Sequence, residues 1–349
     1  MPMPTSLVEC VPNFSEGKDK EIIDQIIRPV RDARGVSLLD VDMGADFNRT
    51  VVTMVGEPEE VLKTVIECTR VAIELIDMRE HSGEHARMGA VDVVPFIPIQ
   101  GITMDDCVKL SERYAHAASD ELDMPIYLYA EAARMPERVK LPDIRRGEYE
   151  GMADKIYTPE WKPDFGPAEF NPKIGVTATG ARPILIAYNV NLDTDDKSKA
   201  NSIAAKIRTS GSLVRDENGE KVIGDDGKPL RKLGLFPSLQ AAGWMYDSST
   251  AQVSMNLLDY DVTGLHDVTE AIRVEAKKMN LTATAGELVG LVPLNAMISA
   301  GEYYNEKEGE SEEKILVEKA ISGLMLDQLR DFEPRSCIIE WAIAGGEEY

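Results

Sequence analysis

Between residues 7 and 130, short β-branched runs alternate with longer stretches whose apolar residues recur every three or four positions. Such a chain has few folds open to it, because strands that cannot cover themselves need helices laid across them. Leu7-Val8-Glu9-Cys10-Val11-Pro12-Asn13-Phe14 reads as a first strand ending at Pro12, and Ser15-Glu16-Gly17 as a turn. Residues 18–31 predict one amphipathic helix with Ile22, Ile23, Ile26, Ile27 and Val30 on a stripe, and Pro29 kinks or ends its last turn. Residues 36–42 and 50–56 predict two strands joined by a polar loop, 43–49. Two long helices are expected at 57–76 and 103–122, the second with Thr103 as its N-cap. Residues 91–99 are apolar and β-branched, but Pro95 and Pro98 lack a ladder donor, which predicts an edge strand or one ending there. With a further strand at 124–129, the order predicts an α/β half on a mixed sheet.

From 134 to 179 the character changes, with Pro136, Pro142, Pro159, Pro163, Pro167 and Pro172 spaced among aromatic and charged residues. A mostly irregular connection of that length inside a compact domain is typically functional. A second half begins with a strand at 184–191 and a helix at 197–208. Two exposed turns, 216–220 and 224–228, mark a surface excursion. Strands follow at 238–246 and 251–260, a helix at 268–279, a short apolar element after 287–291, a helix at 315–326 and a last strand at 336–344. A length of 349 residues suits two domains, expected as 1–180 and 181–349.

Composition excludes some functions. The formal net charge of −23 argues against a nucleic-acid partner, which needs clustered Lys and Arg. Cys10, Cys68, Cys107 and Cys337 have neither metal nor redox spacing and suit the reduced thiols of a cytoplasmic protein. Residues 1–6 lack the basic and apolar regions of a signal peptide. The longest nearly uncharged apolar run, 288–300, is too short for a bilayer, so no membrane association is expected.

Two of the four histidines fall in Asp77-Met78-Arg79-Glu80-His81-Ser82-Gly83-Glu84-His85-Ala86-Arg87-Met88-Gly89-Ala90, a loop tethered between a helix and a strand. His81 and His85 could share a helical face as metal ligands, but Ser82 stands where the metalloprotease pattern has Glu, and Gly83 disfavours a helix there. General acid–base work suits a group whose ordinary pKa is about 6.5. The plain alternative is that His85 is a loop histidine satisfied by backbone. Asp40 and Asp42 share a strand face, where one could orient a histidine or both could cap and turn the chain. Asn48, Arg49 and Arg87 are candidates for holding a substrate carboxylate, or surface ion pairs. Gly166-Pro167-Ala168-Glu169-Phe170-Asn171-Pro172-Lys173-Ile174-Gly175 lacks both dinucleotide and P-loop spacing. Its aromatic and lysine could receive a flat ring with an anionic tail, or the stretch is a linker. Trp244, Asn256 and Thr263-Gly264-Leu265-His266 form a second cleft wall or core and turn.

Taken together, these stretches resemble the formiminotransferase domain family of glutamate formimidoyltransferases. The segments that carry the likeness include residues 7–17, Leu38-Leu39-Asp40-Val41-Asp42, Asn48-Arg49-Thr50-Val51 and Gly83-Glu84-His85-Ala86-Arg87-Met88-Gly89-Ala90. Further along come Tyr127-Leu128-Tyr129-Ala130-Glu131-Ala132-Ala133, Asp164-Phe165-Gly166-Pro167, Asn256-Leu257-Leu258-Asp259, Val262-Thr263-Gly264-Leu265-His266 and Glu287-Leu288-Val289-Gly290-Leu291-Val292-Pro293-Leu294. The resemblance implies two α/β halves whose mixed sheets face a central cleft, helices outside, and a homodimer. It implies transfer of a formimino group from N-formimino-L-glutamate to N5 of tetrahydrofolate, as in histidine breakdown. Catalysis would fall to His85, with Asp42 as its positioning partner. Folate would bind on residues Gly166 to Gly175, and Arg49 and Arg87 would hold substrate carboxylates. Tetrahydrofolate is then a co-substrate, with no bound cofactor and no metal. Ala86 departs from the proline often found after the family histidine, and residues 193–237 are longer and more polar than in animal members. The chain has no room for a fused cyclodeaminase, so transferase activity alone is expected, with a separate cyclodeaminase acting next. Formyl transfer from N-formyl-L-glutamate, a non-catalytic folate-binding protein and a metal-dependent amidohydrolase are the rival readings.

Overall fold

A computed structural model describes residues 6–45, 47–84, 86–224, 227–305 and 312–343. His85, Asp225, Asp226 and Ala344 lie outside the described residues. The chain divides into two compact units, Met1–Pro183 and Ile184–Tyr349, and both mix helices with sheets.

Among the described residues, the first unit is built on a seven-stranded mixed sheet. Its elements run β1 (Leu7–Cys10), β2 (Asn13–Phe14), α1 (Lys20–Ile26), α2 (Arg28–Asp32), β3 (Val36–Gly44), β4 (Arg49–Gly56) and α3 (Pro58–Leu75). After these come β5 (Val91–Gln100), α4 (Met104–Leu122), β6 (Ile126–Ala130), α5 (Leu141–Ile144), α6 (Glu148–Lys155) and β7 (Thr177–Ala181). β4 lies between β3 and the β1–β2 segment; β5 follows on its far side, then β7, then β6. β7 runs parallel to both of its neighbours, and the other pairs are antiparallel.

Side-chain alternation covers the sheet on two faces. On β6, Ile126 and Leu128 join the core beneath α3 and α4, whereas Tyr127 and Tyr129 point into a second core with Ile144, Met152 and Ile156. The connection from 131 to 176 therefore is not a loose linker. Arg138 holds it down: its guanidinium pairs with Asp164 at 2.7 Å and donates to the carbonyls of Glu160 and Lys162. The same group lies over the rings of Tyr127 and Trp161.

Several expectations are corrected here. Residues 91–99 do not form an edge strand, since β5 pairs with β1, β2 and β7. The prolines are tolerated because their missing donors fall at breaks in the ladder. Pro95 lies where the neighbouring chain leaves β1 for β2, and there its carbonyl accepts from the Val11 amide at 3.3 Å. Pro98 lies beyond Phe96, the last β5 residue paired with β7, and beside a register shift at Leu7/Val8. The single helix expected at 18–31 is two helices, with Pro29 in the first turn of α2, where no amide donor is needed. The strand β7 was missed because Thr177-Ala178-Thr179-Gly180-Ala181 carries little apolar bulk. Its threonine hydroxyls are instead satisfied by the carbonyls of Val91 and Val94.

The second unit carries a four-stranded antiparallel sheet among the described residues, ordered β11-β12-β8-β13. Its elements are β8 (Ile186–Leu192), α7 (Lys197–Ile207), β9 (Ser212–Leu213), β10 (Arg231–Lys232), β11 (Leu239–Met245) and β12 (Ala251–Leu257). They continue with α8 (Leu265–Lys278), β13 (Ala283–Val289), α9 (Leu294–Tyr304), α10 (Glu313–Leu324), α11 (Pro334–Cys337) and α12 (Ile339–Ile343). One sheet face, with Ile186, Tyr188, Val190 and Leu192 of β8, packs on helices. The other carries Asn189, Asn191 and Gln252, and Gln252 donates to Asn191 at 3.0 Å. The excursion forms a two-stranded ribbon, β9 with β10. The last strand expected at 336–344 is replaced by α11 and α12. Pro334 starts a helix, and the short apolar run Ile338-Ile339 has no periodicity of its own.

Arg138 and Asp164 have side chains only 3% and 8% exposed, so removing one leaves a buried charge unpaired. Arg138→Met should lower the first unit's stability by about 3–5 kcal/mol, as for breaking a buried pair. Glu112→Ala, which breaks an exposed pair with Arg134, should cost about 1 kcal/mol or less. Urea midpoints followed by Trp fluorescence check both.

Candidate functional site

Four separate stretches of the first unit meet at the N-terminal end of β5. Ser15 donates from its hydroxyl to the Gly89 carbonyl at 2.7 Å and from its amide to Ala90 at 2.9 Å. Thr50 donates to the Glu16 carbonyl at 2.6 Å. The Ala90 amide donates to Ile174 at 2.8 Å, the Val176 amide to Met88 at 3.1 Å and the Met78 amide to Lys173 at 2.9 Å. The turn 15–17, the β3–β4 loop, the 77–90 loop and the end of the glycine-bounded loop thus form one hydrogen-bonded body.

Asn48 is its central knot. It takes the left-handed conformation (φ 48) that Asn tolerates, and it is buried. Its side-chain oxygen accepts from the Gly17 amide at 3.0 Å, and its amide group donates to the Ser82 carbonyl at 2.9 Å. Gly83 completes the contact by close approach: a Cβ there would stand 2.3 Å from the Phe47 carbonyl oxygen. Gly175 does the same on the other side, with φ +68 and a would-be Cβ 2.2 Å from the Met88 oxygen.

His81 is half-buried against this knot. Arg87 donates from Nε to His81 Nδ1 at 3.3 Å, so Nδ1 is the acceptor, and Nε2 carries the proton and donates to the Asn48 carbonyl at 2.9 Å. Burial first, and the Arg87 charge as well, hold the imidazole pKa below its ordinary value, against a raising influence from the Asn48 carbonyl. His81 is therefore a neutral tie between loops. Glu84 is exposed and Ala86 is half-buried.

Arg87 is buried, and protein carboxylates already occupy its fork. Nη1 donates to Glu148 at 3.0 Å and to Glu150 at 2.9 Å, and Nη2 donates to Glu150 at 2.6 Å. Five residues on, Asp92 is 1% exposed, accepts the Met88 amide at 2.8 Å and pairs with Arg145. Burial pushes the Asp92 carboxyl upward, against the opposing pull of Arg145, the Met88 amide and Arg49. The α5–α6 turn thus grips residues 87–92 by two oppositely directed ion pairs. Glu148 is itself left-handed (φ 53) in that turn.

The remaining expected residues are placed as follows. Asp42 is exposed on β3, opposite Val51, and its charge acts on Arg49. Arg49 is half-buried, near Arg145 and Asp92. In the glycine-bounded loop, Phe170 packs against Tyr149 with ring centroids 5.4 Å apart. Lys173 donates to the Glu74 carbonyl at the end of α3 at 3.0 Å, and Tyr149 donates to the Pro172 carbonyl at 2.5 Å. Gly166, Ala168, Glu169, Asn171 and Pro172 are exposed. Trp244 is exposed with Lys197 over its ring, and His266 stacks on Tyr303, both in the second unit. No three His, Cys, Asp or Glu side chains among the described residues are grouped to hold a metal. No helix among them is long and apolar enough to cross a membrane.

Sequence reasoning missed Asp92, Arg145, Glu148 and Glu150. A signal existed: Asp92 interrupts an apolar strand, and Asp143-Ile144-Arg145-Arg146-Gly147-Glu148-Tyr149-Glu150 alternates charge around a glycine.

His81 supplies a pH test. A histidine whose folded pKa is lowered contributes stability fully above its unfolded value of about 6.5, and that contribution is lost as pH falls through the folded value. Wild type should therefore lose thermal stability below about pH 6.5 more steeply than His81→Gln. Parallel melting curves from pH 8 to pH 5 would refute the assignment.

The matches to known proteins run along both units. The model of the formiminotransferase domain, N-terminal subdomain, matches residues 7–182, and that of the formiminotransferase domain matches residues 187–344. The rat formimidoyltransferase-cyclodeaminase is 45% identical over 342 residues, which is 97% of this chain and 60% of that protein. The chain thus spans 60% of the length of that fused relative. A glutamate formimidoyltransferase of Streptococcus pyogenes is 38% identical over 318 residues, covering 91% of this chain and 99% of that protein. One from Thermoplasma acidophilum is 38% identical over 316 residues, covering 90% and 97%. With family models spanning nearly its whole length, this chain belongs to the formiminotransferase domain family.

Proposed function

We propose that this protein is a glutamate formimidoyltransferase, which moves the formimino group of N-formimino-L-glutamate to N5 of tetrahydrofolate and releases L-glutamate. The observation that carries this is the likeness, along 99% of its length, to a protein named glutamate formimidoyltransferase. In the reaction N5 attacks the formimino carbon and loses a proton, and the glutamate nitrogen leaves and gains one. A single imidazole can take the first proton and return the second, and His85 is that group.

Asp42 positions His85, and its place on the strand pair leading into the Asn48 knot supports this. Tetrahydrofolate lies on Gly166 to Gly175, as a co-substrate. Support comes from the loop's attachment to residues 78–90 and from the exposure of its middle. Arg49 and Arg87 hold substrate carboxylates; Arg87 does so by exchanging Glu150 for the substrate. Holding two substrates together supplies much of the remaining acceleration. The protein acts in the cytoplasm as a homodimer, needs no metal, and hands its product to a cyclodeaminase. The fused names of the animal relatives support that last link.

Single-turnover mixing with tetrahydrofolate and N-formimino-L-glutamate tests this, with folate absorbance as the readout. Wild type should form 5-formimino-tetrahydrofolate, and His85→Ala should be slower by at least about 100-fold. Equal rates would remove His85 from the mechanism. Product from N-formyl-L-glutamate alone would replace the donor.

A further inference from the structure

The helix α6 opens with Glu148-Tyr149-Glu150, and these consecutive residues reach two different loops. Glu148 and Glu150 take the guanidinium of Arg87, in the 77–90 loop. Tyr149 between them meets the glycine-bounded loop: its hydroxyl donates to the Pro172 carbonyl at 2.5 Å, and its ring packs on Phe170. Arg87 also lies over that ring, 5.9 Å from its centroid. The first turn of α6 is therefore a strut between the two loops.

Tyr149 meets its loop near the middle, away from the bonds that fix the ends. At one end the Ile126 amide donates to the Phe165 carbonyl at 3.0 Å; at the other the Gly175 amide donates to Asn171 at 2.8 Å. Lys173 adds its bond to the Glu74 carbonyl. Between these points Ala168, Glu169, Asn171 and Pro172 are exposed. A second bond into this stretch, from the Phe170 amide to the Tyr157 hydroxyl, is long at 3.5 Å, and Tyr157 is itself exposed. The Tyr149 phenol suits a permanent tether because it stays a neutral donor. Burial, and the charges of Asp77 and Glu150, push its pKa up against the opposing pull of Arg79 and Arg87.

We infer that Tyr149 is a positioning residue for the co-substrate, setting the middle of the 166–175 loop against the 77–90 loop before binding. This rests on the reading that tetrahydrofolate lies on Gly166 to Gly175. Ordering a loop at the moment of binding subtracts from affinity, and a tether made beforehand removes that cost. Because the same helical turn holds Arg87, the position of the folate loop is tied to that of the loop bearing the expected catalytic residue.

Calorimetric titration of tetrahydrofolate into wild type and Tyr149→Phe tests this, with steady-state rates for both substrates and amide hydrogen exchange over residues 166–175. The variant keeps the ring and loses one hydrogen bond, so tetrahydrofolate affinity should fall about three- to tenfold. The tetrahydrofolate KM should rise by a similar factor, while kcat and the KM for N-formimino-L-glutamate stay within about twofold. Without ligand, the amides of 166–175 should exchange faster in the variant. Equal affinity with unchanged exchange overturns the inference. A loss shared by both substrates also overturns it, since Tyr149 would then be a general prop of the fold. Faster exchange with equal affinity leaves the tether but removes this loop as the folate site, and the inference falls with the reading it rests on. If the variant shows the expected loss while wild type transfers nothing from the formimino donor, the inference stands and the proposed donor is removed.

Discussion

Ion pairs with one buried member on each side of the crossing, Arg87 and Asp92, tie residues 87–92 to the α5–α6 turn and hold the first unit's candidate site in place. Arg87 points its charge at Glu148 and Glu150, and Asp92 receives that of Arg145. Buried charges are stable only when partnered. Each pair therefore requires the other segment to be in place, and a loop with no regular structure acquires a defined position. The left-handed backbone at Glu148 lies within this grip. A non-glycine residue in that region costs about 1–2 kcal/mol, and the reciprocal pairing offsets it.

Neutral contacts complete what the charges begin. Asn48 gathers Gly17, Ser82 and His81 through three different groups, and Gly83 is there because any side chain would strike Phe47. His81 looked like a titrating residue by its neighbours in the sequence. Geometry assigns it a fixed proton on Nε2 and a structural post, leaving the acid–base role to His85 in the proposed mechanism.

Local pattern was enough for elements whose environment is uniform along their length. The helices α3 and α4 follow apolar spacing and, for α4, a Thr103 capping box with Asp106. Pattern failed where distant chain decided the outcome. Pro95 looked disqualifying until the break between β1 and β2 lay beside it. β7 has almost no hydrophobic signature, and its threonine hydroxyls donate to carbonyls of β5 rather than fill space. The 77–90 loop stood out in the sequence because its residue types are unusual for a core. Arg145 and Glu150 did not, since a charged turn reads as solvated surface until its partner 53 or 63 residues away is known.

The position of β7 has a consequence for biogenesis. It is the last strand of its sheet to be made, yet it is inserted between β5 and β6, which are made earlier. While the chain emerges at about 5–20 residues per second, those two strands have no ladder to join them until residue 181 has been synthesised. For several seconds on the ribosome the nascent sheet therefore presents two unsatisfied edges facing an empty slot. During that interval this chain is open to mispairing along β5 and β6, and a chaperone has those edges to shield.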